Sequence, residues 1–275
     1  MKKTKAFRLG FVGVCLLLSL SQGVFALSPR YIPLECPVDG KRFTTTGVGS
    51  MTTMGRRSDF AIVGPIDNLY GAIVHSCPHC HFSGTEADFK QKLSPEFKAR
   101  VLQTFAAYKP HQNLDELDEI DLALALYQWQ NRSAEEKALL ALAGSYLAPG
   151  PEFEDEASGF AADNSQITVL KPVEKPFFSR KSLYQARSLY WFRQALEANE
   201  IAPERRIEYI YLVGEFSRRF GQFETAKVWF RQALELLPPL PTEDDPFEQM
   251  QTKALRDRIM EQYDLAQRKI ADALD

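Results

Sequence analysis

Two cysteine turns, Cys36-Pro37-Val38-Asp39-Gly40 and Cys77-Pro78-His79-Cys80-His81, constrain this chain more than any other feature. A Cys-Pro turn can present two ligand atoms on one side of the backbone. Two such turns about forty residues apart therefore offer four ligands to one tetrahedral Zn²⁺, the pattern of a small zinc-ribbon-like β segment. One of the four thiols is replaced: Asp39 stands where the first turn should carry its second cysteine. The ligand set reads as Cys36, Asp39, Cys77 and Cys80, with His75, His79 and His81 as neighbours that could substitute for the carboxylate. Spacing does not choose among them. Three thiolates and a carboxylate would leave a zinc centre with a net charge of −2 that needs nearby donors. Gly40 permits the left-handed conformation that ends such a turn, whereas His81 replaces the glycine in the second. A turn pair that had lost its metal would instead join Cys77 to Cys80 as a disulfide.

The start of the chain sets the compartment. Met1-Lys2-Lys3-Thr4-Lys5 and Arg8 precede an apolar run from Phe11 to Leu20, too short to span a bilayer comfortably, and Val24-Phe25-Ala26 precedes a cut near Leu27. Residues 1–26 are thus expected to be a signal peptide, leaving a periplasmic or secreted protein without stable membrane insertion. The whole chain carries 33 Lys and Arg against 36 Asp and Glu; losing Lys2, Lys3, Lys5 and Arg8 changes the balance to 29 − 36 = −7. That charge argues against a nucleic-acid binder, which needs a basic face to release counterions. Three cysteines remain after such a cut, an odd number in an oxidising compartment, which disfavours a disulfide framework.

Organisation changes near residue 85. Arg42–Thr46, Phe60–Val63 and Tyr70–Val74 are β-branched or aromatic runs bounded by breakers, and read as strands of one small sheet that carries both turns over residues 27–85. From Glu86 the period becomes helical: Phe89, Leu93, Phe97, Val101 and Phe105 recur at four-residue steps, and Leu117, Ile120, Leu124 and Tyr127 resume after Pro110. Ser133-Ala134-Glu135-Glu136 is a capping box for a helix running to about Leu147. An acidic, Pro-rich insertion follows near 149–179. The segments Trp191-Phe192-Arg193-Gln194-Ala195-Leu196-Glu197 and Trp229-Phe230-Arg231-Gln232-Ala233-Leu234-Glu235 repeat one another. Around the second copy Gly214, Gly221, Phe223, Ala226, Phe230, Ala233 and Pro238 occupy the small and large positions of a tetratricopeptide repeat, and a capping helix is expected from about Pro246 to Leu274. The fold class is α+β, mostly α: a ribbon-like segment followed by a tetratricopeptide-like antiparallel helical array over residues 86–275.

Aligned through Gly214, Gly221 and Ala226, the repeat turns Glu208, Tyr211, Glu215, Arg218 and Arg219 towards a concave groove, with Arg218 suited to carboxylate capture and Tyr211 to a hot-spot contact. Tyr211, Glu215, Arg218 and Arg219 are therefore the expected protein- or peptide-binding residues; the alternative is a solvated face in which Glu215 pairs with Arg219 four residues later. Arg57 and Asp59 read most simply as an ion pair or a turn-stabilising carboxylate. There is no His-Glu-x-x-His helix and no Gly-x-Ser-x-Gly elbow. Cys77-Pro78-His79-Cys80 also resembles the active site of strong thiol oxidases, but that chemistry needs a helix N-terminus immediately after the pair, and His81-Phe82-Ser83-Gly84 intervenes.

Together Cys36-Pro37-x-x-Gly40-Lys41-x-Phe43, Arg57-Ser58-Asp59-Phe60, Cys77-Pro78-His79-Cys80 and the helix Tyr211-Leu212-Val213-Gly214-Glu215-Phe216-Ser217-Arg218-Arg219-Phe220-Gly221 are similar to a bacterial group, the domain of unknown function 2225 family. The resemblance implies a zinc-ribbon-like part joined to tetratricopeptide-like helices, with no established activity. Asp39 and the leader depart from the family pattern of two cysteines in the first turn and a cytoplasmic setting. The expected function is a non-enzymatic, exported interaction scaffold with a structural zinc; the alternative is a periplasmic thiol–disulfide oxidoreductase using Cys77 and Cys80.

Overall fold

The computed structural model describes residues 28–64, 69–107, 114–148, 179–239 and 246–271. The expected leader and most of the insertion at 149–179 lie outside them. Alternation organises the first strand: Ile32 and Leu34 are buried while Tyr31, Pro33 and Glu35 are exposed along β1 (Ser28–Glu35). β1 pairs antiparallel with β2 (Arg42–Ser50), opposing Leu34 to Phe43. Two further pairs follow, β3 (Gly55–Arg56) with β4 (Ile62–Val63) and β5 (His75–Ser76) with β6 (Ser83–Gly84). These are three separate two-stranded hairpins, which corrects the expectation of one sheet: each turn closes on its own flanking residues and the ladders go no further. The expected strand at Tyr70–Val74 is corrected too, since Leu69–Ala72 forms a 3₁₀ turn. A short apolar run does not distinguish strand from helix, and here the Tyr70 hydroxyl accepts a 2.7 Å bond from the Ile62 N–H.

The helical period from Glu86 is broken where a continuous helix was expected. A 3₁₀ turn at Asp88–Lys90 is followed by α1 (Pro95–Thr104), because Pro95 disfavours helical backbone at Ser94, which is extended and caps the new helix through the Phe97 N–H. α2 (Glu116–Trp129) and α3 (Ala134–Leu147) both open with complete capping boxes, at Asp115/Asp118 and at Ser133/Glu136 as expected. α4 (Arg180–Glu197), α5 (Pro203–Arg219), α6 (Phe223–Leu236) and α7 (Pro246–Gln267) complete the array, each packing on the next. The chain is mostly α with short antiparallel strand pairs, the expected α+β class.

Among the described residues three apolar clusters follow one another along the chain. The first joins Ile32, Leu34, Cys36, Cys77, Cys80 and Phe82 to Phe89, Val101, Phe105, Leu122 and Leu126, so residues on both sides of the expected boundary at 85/86 share one core. The second links α2, α3 and Tyr184 of α4; the third runs from α3 to α7.

Two glycines set the helix spacing. A Cβ on Gly144 would lie 2.6 Å from the Tyr184 ring, and one on Gly214 would lie 2.7 Å from the Phe230 ring. The small and large positions read around Gly214 and Phe230 therefore meet across the α5–α6 pair. Gly214→Ala gains about 1 kcal/mol of helix propensity, but it forces a buried ring off its site. A net loss of about 1–3 kcal/mol is expected in denaturant unfolding. A variant as stable as the parent would mean that the helices part without cost.

Candidate metal centre

The two cysteine turns superimpose residue by residue in their backbone bonding. In the first, which joins β1 to β2, the Cys36 N–H donates to the Lys41 carbonyl and the Gly40 N–H to the Cys36 carbonyl, both at 2.9 Å. In the second, which joins β5 to β6, the Cys77 N–H donates to the Phe82 carbonyl at 2.8 Å and the His81 N–H to the Cys77 carbonyl at 2.9 Å. Asp39 and Cys80 therefore occupy equivalent positions. Gly40 and His81 are both left-handed, at φ +72° and +59°, so His81 adopts the conformation that glycine takes without strain. The Lys41 N–H donates to Asp39 Oδ1 at 3.0 Å and orients the carboxylate.

This pairing brings one ligand atom from each of Cys36, Asp39, Cys77 and Cys80 to within 4.8 Å of one another. Cys36 Sγ lies 3.5 Å from Cys80 Sγ, and Cys77 Sγ lies 3.9 and 3.8 Å from the two Asp39 oxygens. Ligand bonds of about 2.3 Å to sulfur and 2.0 Å to oxygen in a tetrahedron require separations of roughly 3.8 and 3.5 Å. The site is thus close to the size a zinc ion needs. Three sulfurs and one oxygen also suit a soft divalent ion such as Zn²⁺ better than Ca²⁺ or Mg²⁺. Cys36, Cys77 and Cys80 are free thiols, which leaves the alternative Cys77–Cys80 disulfide unformed.

Among the described residues the cluster contains Asp39 and none of the three neighbouring histidines. His75 is instead buried in β5, where its Nδ1 lies 3.2 Å from the Thr45 hydroxyl; burial, above all, lowers its pKa and favours the neutral ring. The thiols sit at 1 %, 0 % and 6 % exposure for Cys36, Cys77 and Cys80. Hydrogen bonds from Cys36 and Cys80 pull Cys77 well below the usual thiol range. Bonding to Cys77 pushes Cys36 up to about 12, and Cys80 is raised by its bonds to Cys36 and Cys77, with burial adding to both. Three packed thiolates repel one another, and a divalent cation is what lets all three ionise together.

A second polar cluster lies between the turns in sequence and explains the Arg57-Ser58-Asp59-Phe60 motif. The β3–β4 hairpin carries these residues at its tip, where Phe60 is left-handed at φ +67° and Asp59 Oδ1 accepts from the Ala61 N–H at 3.1 Å. The turn-stabilising reading of Asp59 is correct. The tip plugs into the helical array: the Tyr211 hydroxyl donates to the Ser58 carbonyl at 2.6 Å, the Tyr146 hydroxyl donates to the Asp59 carbonyl, and Ser58 Oγ donates to Glu215 Oε1 at 3.2 Å. Arg219 bonds Ser58 Oγ at 2.9 Å and Glu215 Oε1 at 2.8 Å and pairs with Asp59 Oδ2 at 3.3 Å. Arg218 donates to both Glu215 oxygens and to the Ile270 and Ala271 carbonyls.

This corrects the expected partner surface. Tyr211, Glu215 and Arg218 are fully buried, and Arg219 is nearly so. The α5 face read from the repeat is a recognition face, but the segment it holds is the chain's own hairpin. Sequence reasoning recorded the motif and the helix and did not connect them. A smaller clasp of the same kind went unread: Asp88 accepts from the Thr85 N–H and hydroxyl, the Tyr127 hydroxyl and the Arg132 guanidinium, fastening the segment after the second turn to α2.

The model of a family described as an uncharacterized protein conserved in bacteria, DUF2225, matches residues 32–266. The chain belongs to that family. Neither a curated protein nor a solved structure matches it. Among the described residues no helix is long and apolar enough to cross a membrane.

Proposed function

We propose that the protein is a non-enzymatic, exported interaction scaffold in which Cys36, Asp39, Cys77 and Cys80 hold a structural Zn²⁺ and the helical array, built of tetratricopeptide-like repeats, binds a protein partner. The observation that carries the metal reading is the convergence of two equivalent turns on one four-ligand cluster inside an apolar core. When bound, the ion supplies charge neutralisation and a cross-link between the two hairpins. Asp39 is the most accessible of the four ligands and makes this site weaker and faster to exchange than a four-thiolate centre.

Thiol–disulfide exchange is disfavoured by the same geometry. A reactive pair needs an exposed thiolate at a helix N-terminus, whereas Cys77 and Cys80 are buried and run into β6, with α1 beginning only at Pro95. Purified protein is expected to contain one zinc per chain, to react with a disulfide reagent only after chelation, and to leave protein disulfides intact. Metal-free protein whose thiols exchange rapidly with a disulfide substrate would establish the oxidoreductase reading instead. Mass spectrometry of the exported form, beginning near Leu27, tests the compartment.

A further inference from the structure

The hairpin tip fills only half of the α5 recognition face. Glu204, Glu208, Tyr211, Glu215 and Arg219 follow one another at steps of three or four residues and so share one side of the helix. The last three grip the hairpin. The first two face an open cleft of about 760 Å³, bounded by the hairpin on one side and α7 on the other, and floored by Ile207 and Leu255.

The cleft carries more acid than base. Its lining has three carboxylates, Glu204, Glu208 and Glu248, and two guanidiniums, Arg56 and Arg258. Arg258 is engaged at the hairpin end, donating to the Arg56 carbonyl at 3.3 Å with its guanidinium 5.3 Å from the Phe60 ring centre. Glu248 lies away from it, ten residues earlier on α7 and roughly 15 Å along the helix axis.

We propose that this cleft docks an extended, lysine- or arginine-bearing segment of a partner protein, extending along α5 the peptide recognition that the hairpin tip exercises on its second half. The proposal rests on the scaffold reading and gives it a site and a partner chemistry. Cationic side chains of the segment meet Glu204 and Glu208, and its apolar side chains lie against Ile207 and Leu255. The excess of acid over base in the chain beyond residue 26, 36 against 29, draws such a segment in from a distance.

The test is selection of random twelve-residue peptides displayed on phage against the full-length protein, followed by anisotropy titrations of the enriched peptides. Enriched sequences are expected to carry at least two basic residues beside an apolar one. They should bind about three- to tenfold more weakly to Glu204→Gln/Glu208→Gln, and to weaken further with added salt. Selection against Glu204→Lys/Glu208→Lys should yield acidic peptides instead. Both changes lie on exposed or half-buried positions, and circular dichroism checks that the helices persist. Enriched peptides that are not basic, or basic ones bound equally by the glutamine variant, overturn this site while leaving a scaffold that binds elsewhere. Failure to enrich any peptide overturns the cleft and removes the support it lends to the scaffold reading.

Discussion

Cys77→Ser is expected to abolish zinc binding and to release the two cysteine-bearing hairpins while the distal helices stay folded. A structural zinc in a small domain contributes on the order of 10 kcal/mol, and Cys77 is the most buried of its ligands. The extent of the damage follows from the core. Cys36, Cys77 and Cys80 pack with Phe89, Val101, Phe105, Leu122 and Leu126, so hydrogen exchange should accelerate across residues 31–50 and 75–84 and also in α1 and the facing side of α2, while the β3–β4 tip stays held by α5. The cluster from α3 to α7 has no cysteine in it, and those amides should keep their protection. Chelation of the parent should reproduce the pattern, and Asp39→Cys should oppose it by holding zinc at chelator concentrations that strip the parent. Native mass spectrometry showing equal metal in the Cys77→Ser protein would refute the centre. So would metal-free parent protein with unchanged exchange in the hairpins.

The parts of this architecture that were legible in the sequence are those set by neighbours. The two turns are local, so Cys36, Cys77 and Cys80 announced themselves, and symmetry with Cys80 was enough to suggest Asp39. The choice of Asp39 over three histidines was not legible, because it depends on how two hairpins meet across some forty residues of chain. Ser133 and Glu136 marked a helix start by chemistry contained within one turn. The break at Pro95 was readable in the same way and was overridden by the regular spacing of Phe89, Leu93, Phe97, Val101 and Phe105. That spacing reflected burial in one core rather than one helix.

The interior of the α5 face illustrates the harder case. Glu215 and Arg219 are four residues apart, and periodicity alone makes such a pair look like part of a solvated or partner-facing stripe. What buries them is Ser58, 157 residues from Glu215 and 161 from Arg219. No helical pattern encodes a contact of that separation. The presence of Ser58 and Asp59 in one short motif, and of two arginines next to a glutamate in another, was the available hint: an excess of charge-bearing groups that suited each other.

Removing the carboxylate of that cluster should therefore be among the most damaging single changes in the chain. Glu215→Ala leaves the fully buried Arg218 guanidinium without its anion and takes from Arg219 one of its two carboxylate partners. Breaking a buried pair in this way costs about 3–5 kcal/mol, which for a protein of this size lowers the melting temperature by on the order of 10 °C. Ser58→Ala, which removes a neutral hydroxyl from the same cluster, should cost only about 1–3 kcal/mol. Acid should mimic the first change. Burial works to raise the Glu215 pKa, but hydrogen bonds from Arg218 and the charges of Arg219 and Arg218 outweigh it and hold the carboxyl below its usual value of 4.5. A depressed folded-state pKa contributes stability that is in place above the unfolded value and is lost as the pH falls through the folded one. The parent should thus lose stability more steeply below about pH 4.5 than Glu215→Gln, whose side chain does not titrate. Glu215→Leu/Arg218→Met separates loss of contact from stranded charge, because it removes both ions and leaves Arg219 on Asp59. That double variant should be more stable than Glu215→Ala. If it is less stable, the cluster is held chiefly by its hydrogen bonds, those to Ser58 and those from Arg218 to the Ile270 and Ala271 carbonyls, and its ion pairs contribute little of their own.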